Sequence, residues 1–425
     1  MKSTKFNSEW WDGFLNTTEN MTKTSVLKDC LTKEDTSVMR KLVLEVLAEI
    51  ARLRTNEFGY RVFVDDKQLE YNELLKVFDA PPLKEDTIET WSQRVFEDRK
   101  FGMIINAGEK FNLELSKFIA LKVQPLLEKV GLPREGINFT LFVGNYDNTP
   151  LGIHQDAPGE NVIHFHLGPE GKTMYTWDKD EYEKLVGEMK FNNKEVDKYI
   201  PYATEFAFEE GDLYFMPQGE YHVGKNKGLS MAITFWFYNH SKERFANKLN
   251  MTVLNQFMQK SRDLLSPDKN HLDDTSGVES TLDLLEIPDS ISSLSLKDLM
   301  REAYKDLRYS IHSNAGYRTS PIPLEEDVYF EMDEYIELEK PFKILYKESL
   351  DKEKLQVYIR GIKIEFNNFG CIKDLLDEIN KGEPVQVKDL LNLLDEDWDE
   401  EIGLYILEEL YKNHGVTKKG VLAKI

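Results

Sequence analysis

The sequence predicts a mostly β core with flanking helices, an antiparallel barrel or jelly roll, followed by a smaller mixed unit. Three observations carry this. Between Ile137 and Asn239, strand-like runs succeed one another in strand-turn-strand spacing, interrupted only by a charged helix-and-loop insertion at Glu181 to Tyr199, which argues against βαβ units. Helical periodicity dominates on both sides of that stretch. Beyond Pro321, a two-strand pattern and three short helical patterns fill about 100 residues, the usual size of a domain.

Composition narrows the class. The chain has 425 residues, 41% hydrophobic and 12% aromatic, which is ordinary for a folded globular protein. No apolar run approaches the length of a bilayer span, and the start, MKSTKFNSEWWDGF, lacks an apolar signal core. Neither a membrane location nor export is expected. Only Cys30 and Cys371 are present, so a disulfide framework is excluded and a cytoplasmic location fits. The formal net charge of -22 argues against nucleic acid, whose phosphates need clustered cations, and is compatible with a basic protein or peptide partner.

Taken in order, residues 1–100 read as a helical region packing on the barrel. Asp35 to Arg54 carries Val38, Leu42, Leu44, Val46, Leu47 and Ile50 at helical spacing, and Tyr71 to Phe78 stops before Pro81-Pro82. Nothing in this region looks catalytic. Residues 101–241 form the barrel. FGMIINA is a strand, and Leu113 to Val130 is an amphipathic helix that ends at Gly131, with Pro133 beyond. The strands INFTLFVGNY, ENVIHFHL, KTMYTW, EFAFEEGDLYFMP and SMAITFWFYN follow. A charged insertion, Glu181 to Tyr199, sits at the barrel mouth. Residues 242–318 return to helix as a linker or dimerisation region, broken by SPDKNHLDDTSG. In residues 319–425, PFKILYKE and KLQVYIRGIKIEF precede helices at Phe369 to Lys381, Gln386 to Leu394 and Asp399 to Asn413. The pattern suggests a winged-helix-like module, and its acidic last helices point to a protein or peptide partner rather than DNA.

The chemistry concentrates in Gly152 to Trp177. His154 and Asp156 are two apart, which in a strand puts an imidazole and a carboxylate on one face. His222 follows an apolar strand and the turn Pro217-Gln218-Gly219. Two His and one carboxylate form the ligand set of mononuclear non-heme Fe(II) sites. A second set competes: His164, His166, Glu170 and His222 match the two general cupin motifs. Glu170 stands in the turn Gly168-Pro169-Glu170-Gly171, where a ligand would lack a rigid strand. The first set is therefore preferred, and His164 and His166 become pocket-lining or core residues. Trp177, Phe235 and Trp236 read as core filling.

The order HxD, short strand, turn, Gly171-Lys172, strand, Glu210-Gly211-Asp212, Pro217, His222, and a strand ending Thr234-Phe235-Trp236-Phe237 resembles the JmjC-type 2-oxoglutarate oxygenases. Within them it is similar to the cupin-like protein hydroxylases, including asparaginyl hydroxylases and ribosomal oxygenases. The likeness runs from near Phe111 to Asn239, and the helical linker with a C-terminal unit resembles the ribosomal-oxygenase layout. It implies a double-stranded β-helix (cupin/jelly-roll) barrel using Fe(II), 2-oxoglutarate and O2. The metal ligands would be His154, Asp156 and His222. Lys172 would grip the distal carboxylate of 2-oxoglutarate, with Tyr146 offering a hydroxyl to it. Asn161 falls where the family places an amide near the metal, and Thr234 where it places a polar group facing the cosubstrate. One departure is Leu151, where asparaginyl hydroxylases carry a hydroxyl residue three before the first ligand; Thr149 is nearby but off register. The expected activity is hydroxylation of a peptide or protein side chain. Two alternatives stand beside it: an oxygenase of a small molecule such as a free amino acid, and a non-enzymatic metal-binding cupin, which a solvent-facing Lys172 would favour.

Overall fold

The computed structural model describes residues 5–187, 192–395, 398 and 400–419. Eighteen strands are defined among them, twelve before residue 240. These are β1 (Ser25–Leu27), β2 (Arg61–Val64), β3 (Lys67–Gln68), β4 (Phe101–Ile105), β5 (Ile137–Gly144), β6 (His154–Gln155), β7 (Glu160–Pro169), β8 (Lys172–Trp177), β9 (Thr204–Phe208), β10 (Leu213–Met216), β11 (Tyr221–Asn226) and β12 (Ser230–Tyr238). They form an eight-stranded sheet in the order β1-β10-β7-β12-β5-β4-β2-β3 and a four-stranded sheet in the order β6-β11-β8-β9. All pairings between these strands are antiparallel. Helices around antiparallel sheets are what the strand-turn-strand spacing led us to expect.

The period of two in the large sheet sets its two faces apart. Ile163, Phe165 and Leu167 of β7, Phe139 and Leu141 of β5, and Ile233 and Phe235 of β12 share one core with the helices. Each such side chain contributes about 1.5–3 kcal/mol by leaving water. The alternate residues, among them Val162, His164, Thr140 and Thr234, line a cavity between the two sheets. Phe235 is thus core, as is Trp177, which packs in a cluster with Tyr182 and Tyr221. Trp236 is not: it stands on the cavity wall, because it falls in the other parity of β12.

The helix Lys33–Leu53 starts from a capping box between Thr32 and Asp35 and buries Met39, Val43, Val46, Leu47 and Ile50. Val38, expected on that face, is 42% exposed. The helix Leu113–Val130 has the bounds its periodicity indicated, with Asn112 accepting from the Leu115 N–H at 2.8 Å. Residues 1–100 are less purely helical than expected. They supply β1 to one edge of the large sheet and β2–β3 to the other, the latter hairpin turning at Asp65-Asp66, both at positive φ. EFAFEEGDLYFMP divides into β9 and β10, one in each sheet, because Gly211 at φ 89° turns the chain between them.

Of the insertion Glu181 to Tyr199, residues 188–191 lie outside the described residues, as does Asp399 of the last expected helix. The described part of the insertion packs helices Lys179–Val186 and Val196–Tyr199 against Trp177, Tyr221 and Val223 of the small sheet. Helices Lys242–Phe257 and Leu296–Ser313 bridge to the C-terminal unit. There, β13 (Tyr335–Leu338), β14 (Leu345–Glu348), β15 (Lys354–Ile359), β16 (Ile362–Asn367), β17 (Val385–Gln386) and β18 (Val416–Lys419) make two three-stranded sheets. Helices Gly370–Asn380, Val387–Leu391 and Glu400–Lys412 share their core. The sheet β17-β13-β18 went unread in the sequence, since its strands are short and far apart. Among the described residues, no helix is long and apolar enough to cross a membrane.

Candidate metal centre

Two ligands are placed by local backbone geometry and the third by long-range pairing. Gly152 adopts φ 74°, and a Cβ there would lie 2.3 Å from the Asn193 carbonyl oxygen. Only glycine lets the chain pass the insertion at that point. Ile153 then exchanges backbone hydrogen bonds of 2.8 and 2.9 Å with Asn193. His154 comes next, directly opposite His222 in the register of β6 with β11, and their ring centroids are 4.3 Å apart. Asp156 faces both: Oδ1 is 3.9 Å from His154 Nε2, and Oδ2 is 3.7 Å from His222 Nε2. The three ligand atoms lie within 4.8 Å of one another, the sole such grouping of His, Cys, Asp or Glu among the described residues.

The backbone fixes the tautomers. His154 Nδ1 lies 2.9 Å from the Gly152 carbonyl and His222 Nδ1 lies 3.3 Å from that of Glu220. A ring nitrogen that donates to a carbonyl carries the proton, so each Nε2 keeps its lone pair toward the shared space. Burial pushes His222 down to about 4. It lowers His154 too, with the His222 charge adding to the effect, so both imidazoles are neutral at neutral pH. Burial raises Asp156, and its Oδ2 has no hydrogen-bond partner among the described residues. A buried carboxylate oxygen without a donor is costly unless a cation completes it. Two neutral imidazoles and one carboxylate suit a divalent metal with open coordination positions.

Lys172 opens β8 and is 5% exposed. Its ammonium donates to the Tyr146 hydroxyl at 3.3 Å and lies 5.5 Å from the Phe142 ring centroid. It makes no ion pair among the described residues. Lys172 and the three ligand side chains line the same cavity of about 320 Å3. The solvent-facing lysine that would favour a non-enzymatic binding protein is not what the structure has.

The remaining expected residues divide. Thr234 lines the cavity, and its Oγ1 lies 2.8 Å from His164 Nδ1. Tyr146 accepts from the Lys172 ammonium but is not among the residues that line the cavity. Asn161 does neither: its side-chain Oδ1 accepts from the Gln218 backbone N–H at 2.9 Å and so holds the turn before His222. His166 donates to or accepts from nothing in the cavity, its Nε2 lying 2.8 Å from the Glu170 carbonyl. Glu170 is exposed on its turn, so His164, His166, Glu170 and His222 are not brought together.

Among the cavity residues that sequence reasoning missed are Arg61 of β2 and Tyr214 of β10, and Trp236 stands on the wall instead of in the core. The Tyr214 hydroxyl, Trp236 Nε1 and His164 Nε2 are buried without hydrogen-bond partners among the described residues. The available signal for Arg61 was the run RVFV ahead of Asp65-Asp66, a hairpin pattern.

No family model and no curated protein matches this chain. Among solved structures, it is similar to YcfD, a ribosomal oxygenase from Escherichia coli, at 15% identity and TM-score 0.48. It is similar also to the same protein in complex with cobalt and succinic acid (15%, 0.48) and with cobalt and 2-oxoglutarate (14%, 0.48). Each alignment covers 96% of this chain and 98% of the other.

Proposed function

We propose that this chain is an Fe(II)- and 2-oxoglutarate-dependent dioxygenase that hydroxylates a side chain of a peptide or protein. The observation that carries the reading is one cavity lined by the His154/Asp156/His222 cluster and by a buried ammonium, Lys172, that pairs with no carboxylate among the described residues. The orphaned Asp156 Oδ2 and the two lone pairs on Nε2 fit a divalent ion. When bound, iron and 2-oxoglutarate supply the oxidation: substrate C–H, O2 and 2-oxoglutarate give C–OH, succinate and CO2, with one atom of O2 in each organic product.

The protein's own residues do the rest. His154, Asp156 and His222 would hold the ion. Lys172, steadied by Tyr146, takes the distal carboxylate of 2-oxoglutarate through a charge-assisted bond. Thr234 holds His164 at the cavity wall. The two sheets exclude water, which strengthens each of these contacts.

In this reading residues 101–241 are a double-stranded β-helix of cupin/jelly-roll type, and residues 1–100 pack on it. Residues 242–318 connect the units or form a dimer contact. Residues 319–425 are a winged-helix-like module that engages the peptide or protein, and the -22 net charge favours a basic partner surface. The buried free thiols of Cys30 and Cys371 fit a reducing cytoplasm.

The test is anaerobic addition of Fe(II) and 2-oxoglutarate, followed by aeration with candidate peptides. The expected results are a metal-to-ligand charge-transfer band, then succinate release and a gain of one oxygen on a peptide. Absence of both the band and succinate overturns the reading.

A further inference from the structure

The cavity holds one charge that the reaction does not use. Among its charged lining residues, His154, Asp156 and His222 form the metal cluster, and Lys172 faces the cosubstrate end. Glu160 is already engaged, its Oε1 3.1 Å from His240 Nε2. Arg61 is left. It is half-buried, lines the cavity, and has no hydrogen-bond or ion-pair partner among the described residues. A guanidinium withdrawn from water without a partner is costly in the free protein.

Its place on the sheet separates it from the cosubstrate. Arg61 lies opposite Ile104, and Ile104 opposite Phe142, the ring beneath Lys172. Side chains directly opposite in antiparallel pairs share a face. Arg61 therefore sits two strands beyond Phe142, a backbone separation of roughly 9–10 Å. On the same sheet and the same cavity, Trp236 Nε1 is buried with no hydrogen-bond partner among the described residues. Arg and Trp side chains donate and cannot accept. The unused hydrogen-bonding capacity at this end is thus met by a ligand rich in acceptors.

We propose that Arg61 selects the substrate by pairing with a carboxylate on it, and that Trp236 donates to a second acceptor of the same substrate. This rests on the oxygenase reading above and names its substrate class. The carboxylate is an acidic side chain of a peptide, or the α-carboxylate of a free amino acid. A basic partner protein is compatible with it, because the long-range field guides the partner and Arg61 reads only the residue that enters.

The test measures binding rather than turnover. Protein loaded with Mn(II) and 2-oxoglutarate under argon is presented with peptide pools, each with one position fixed to a single residue type, and separately with free aspartate and glutamate. Retention of the Asp and Glu pools over the Lys and Arg pools by about tenfold or more is expected, as for one charge-assisted bond. Arg61→Gln abolishes the preference, Arg61→Lys keeps part of it, and Trp236→Phe weakens retention without changing the preference. Retention of free aspartate or glutamate alone assigns the carboxylate to an amino acid. Equal retention of all pools, preference for the basic ones, or an unchanged profile in Arg61→Gln overturns the proposal. A loss of 2-oxoglutarate affinity in Arg61→Gln as large as in Lys172→Met also overturns it, by moving Arg61 to the cosubstrate. Failure of the parent protein to bind Mn(II) and 2-oxoglutarate overturns the oxygenase reading itself, a separate and visible outcome.

Discussion

Gly224 makes the room that Lys172 occupies. A Cβ on Gly224 would stand 2.8 Å from Lys172 Cε, and 3.0 Å from both Met174 Sδ and Thr149 Oγ1. The backbone there is ordinary strand, so the demand is for space and not for conformation. Gly224→Ala is expected to displace the ammonium while leaving the metal cluster in place. Affinity for 2-oxoglutarate should fall toward that of Lys172→Met, roughly ten- to hundredfold for a lost charge-assisted bond. Titration calorimetry of the Mn(II) protein measures both variants. Parental affinity in Gly224→Ala would mean that the ammonium does not anchor the cosubstrate from where it lies.

Asp156 carries a buried oxygen with no donor among the described residues. Asparagine keeps its shape and removes the charge, so Asp156→Asn should leave the metal-free protein as stable as the parent or more so. Metal should then stabilise only the parent, by about 2.7 kcal/mol when its concentration is a hundred times the dissociation constant. Thermal unfolding with and without Mn(II) gives both values. A lower Tm for the metal-free variant would show that protein contacts, and not an ion, justify the carboxylate.

Arg360 ties the C-terminal unit to the unit that holds the His154/Asp156/His222 cluster. At the turn between β15 and β16 it is 1% exposed, donating from Nε to Asn314 Oδ1 and from Nη2 to Ser116 Oγ, each at 3.0 Å. Its guanidinium lies 3.4 Å from the Phe342 ring centroid. Arg360→Ala strands two buried polar groups and should cost about 2–4 kcal/mol, read from urea unfolding. Lysine should not restore it, since a point charge cannot serve two diverging acceptors and stack as well. Full rescue by lysine would reduce the site to simple charge.

How much of this was legible in the sequence follows from the range of each interaction. His154 and Asp156 were readable because two residues of one short segment share a face, and His222 because a Pro-x-Gly turn announces the strand it begins. Lys172 was readable as the polar start of an apolar strand. The rejection of Glu170 also came from local geometry, a turn that holds no side chain rigid. Arg61 was hidden, since its place on the cavity depends on β2 pairing with β4 some forty residues later. Trp236 was misplaced by its aromatic bulk alone, although the alternation was legible: Met231, Ile233, Phe235 and Phe237 form the apolar parity of this strand, and Trp236 shares the other with Ser230, Thr234 and Tyr238. Asn161 had the right neighbourhood, yet its amide is taken by the Gln218 backbone.

Glu109 gives the fold a pH dependence that can be signed in advance. It is 1% exposed, and its Oε2 accepts from the Phe139 N–H at 3.1 Å while its other oxygen takes the Thr319 hydroxyl. Burial nonetheless outweighs those donors and lifts its carboxyl from 4.5 to about 7. Between those two values the folded chain holds a proton that the unfolded chain has released. The contribution of this group to stability is therefore greatest below 4.5, declines as pH rises through the window, and is lost above 7. Glutamine can accept from Phe139 and donate to the Thr319 oxygen with no charge to bury. Glu109→Gln should match the parent near about pH 4 and exceed it at about pH 8.5, by a few kcal/mol at most. Other carboxylates, such as Asp35 and Asp306, are held below their usual range and slope the opposite way. The readout is accordingly the difference between parent and variant in urea unfolding at each pH. A difference that stays flat across the window would mean that Glu109 does not change its charge there, and that its two donors outweigh its burial.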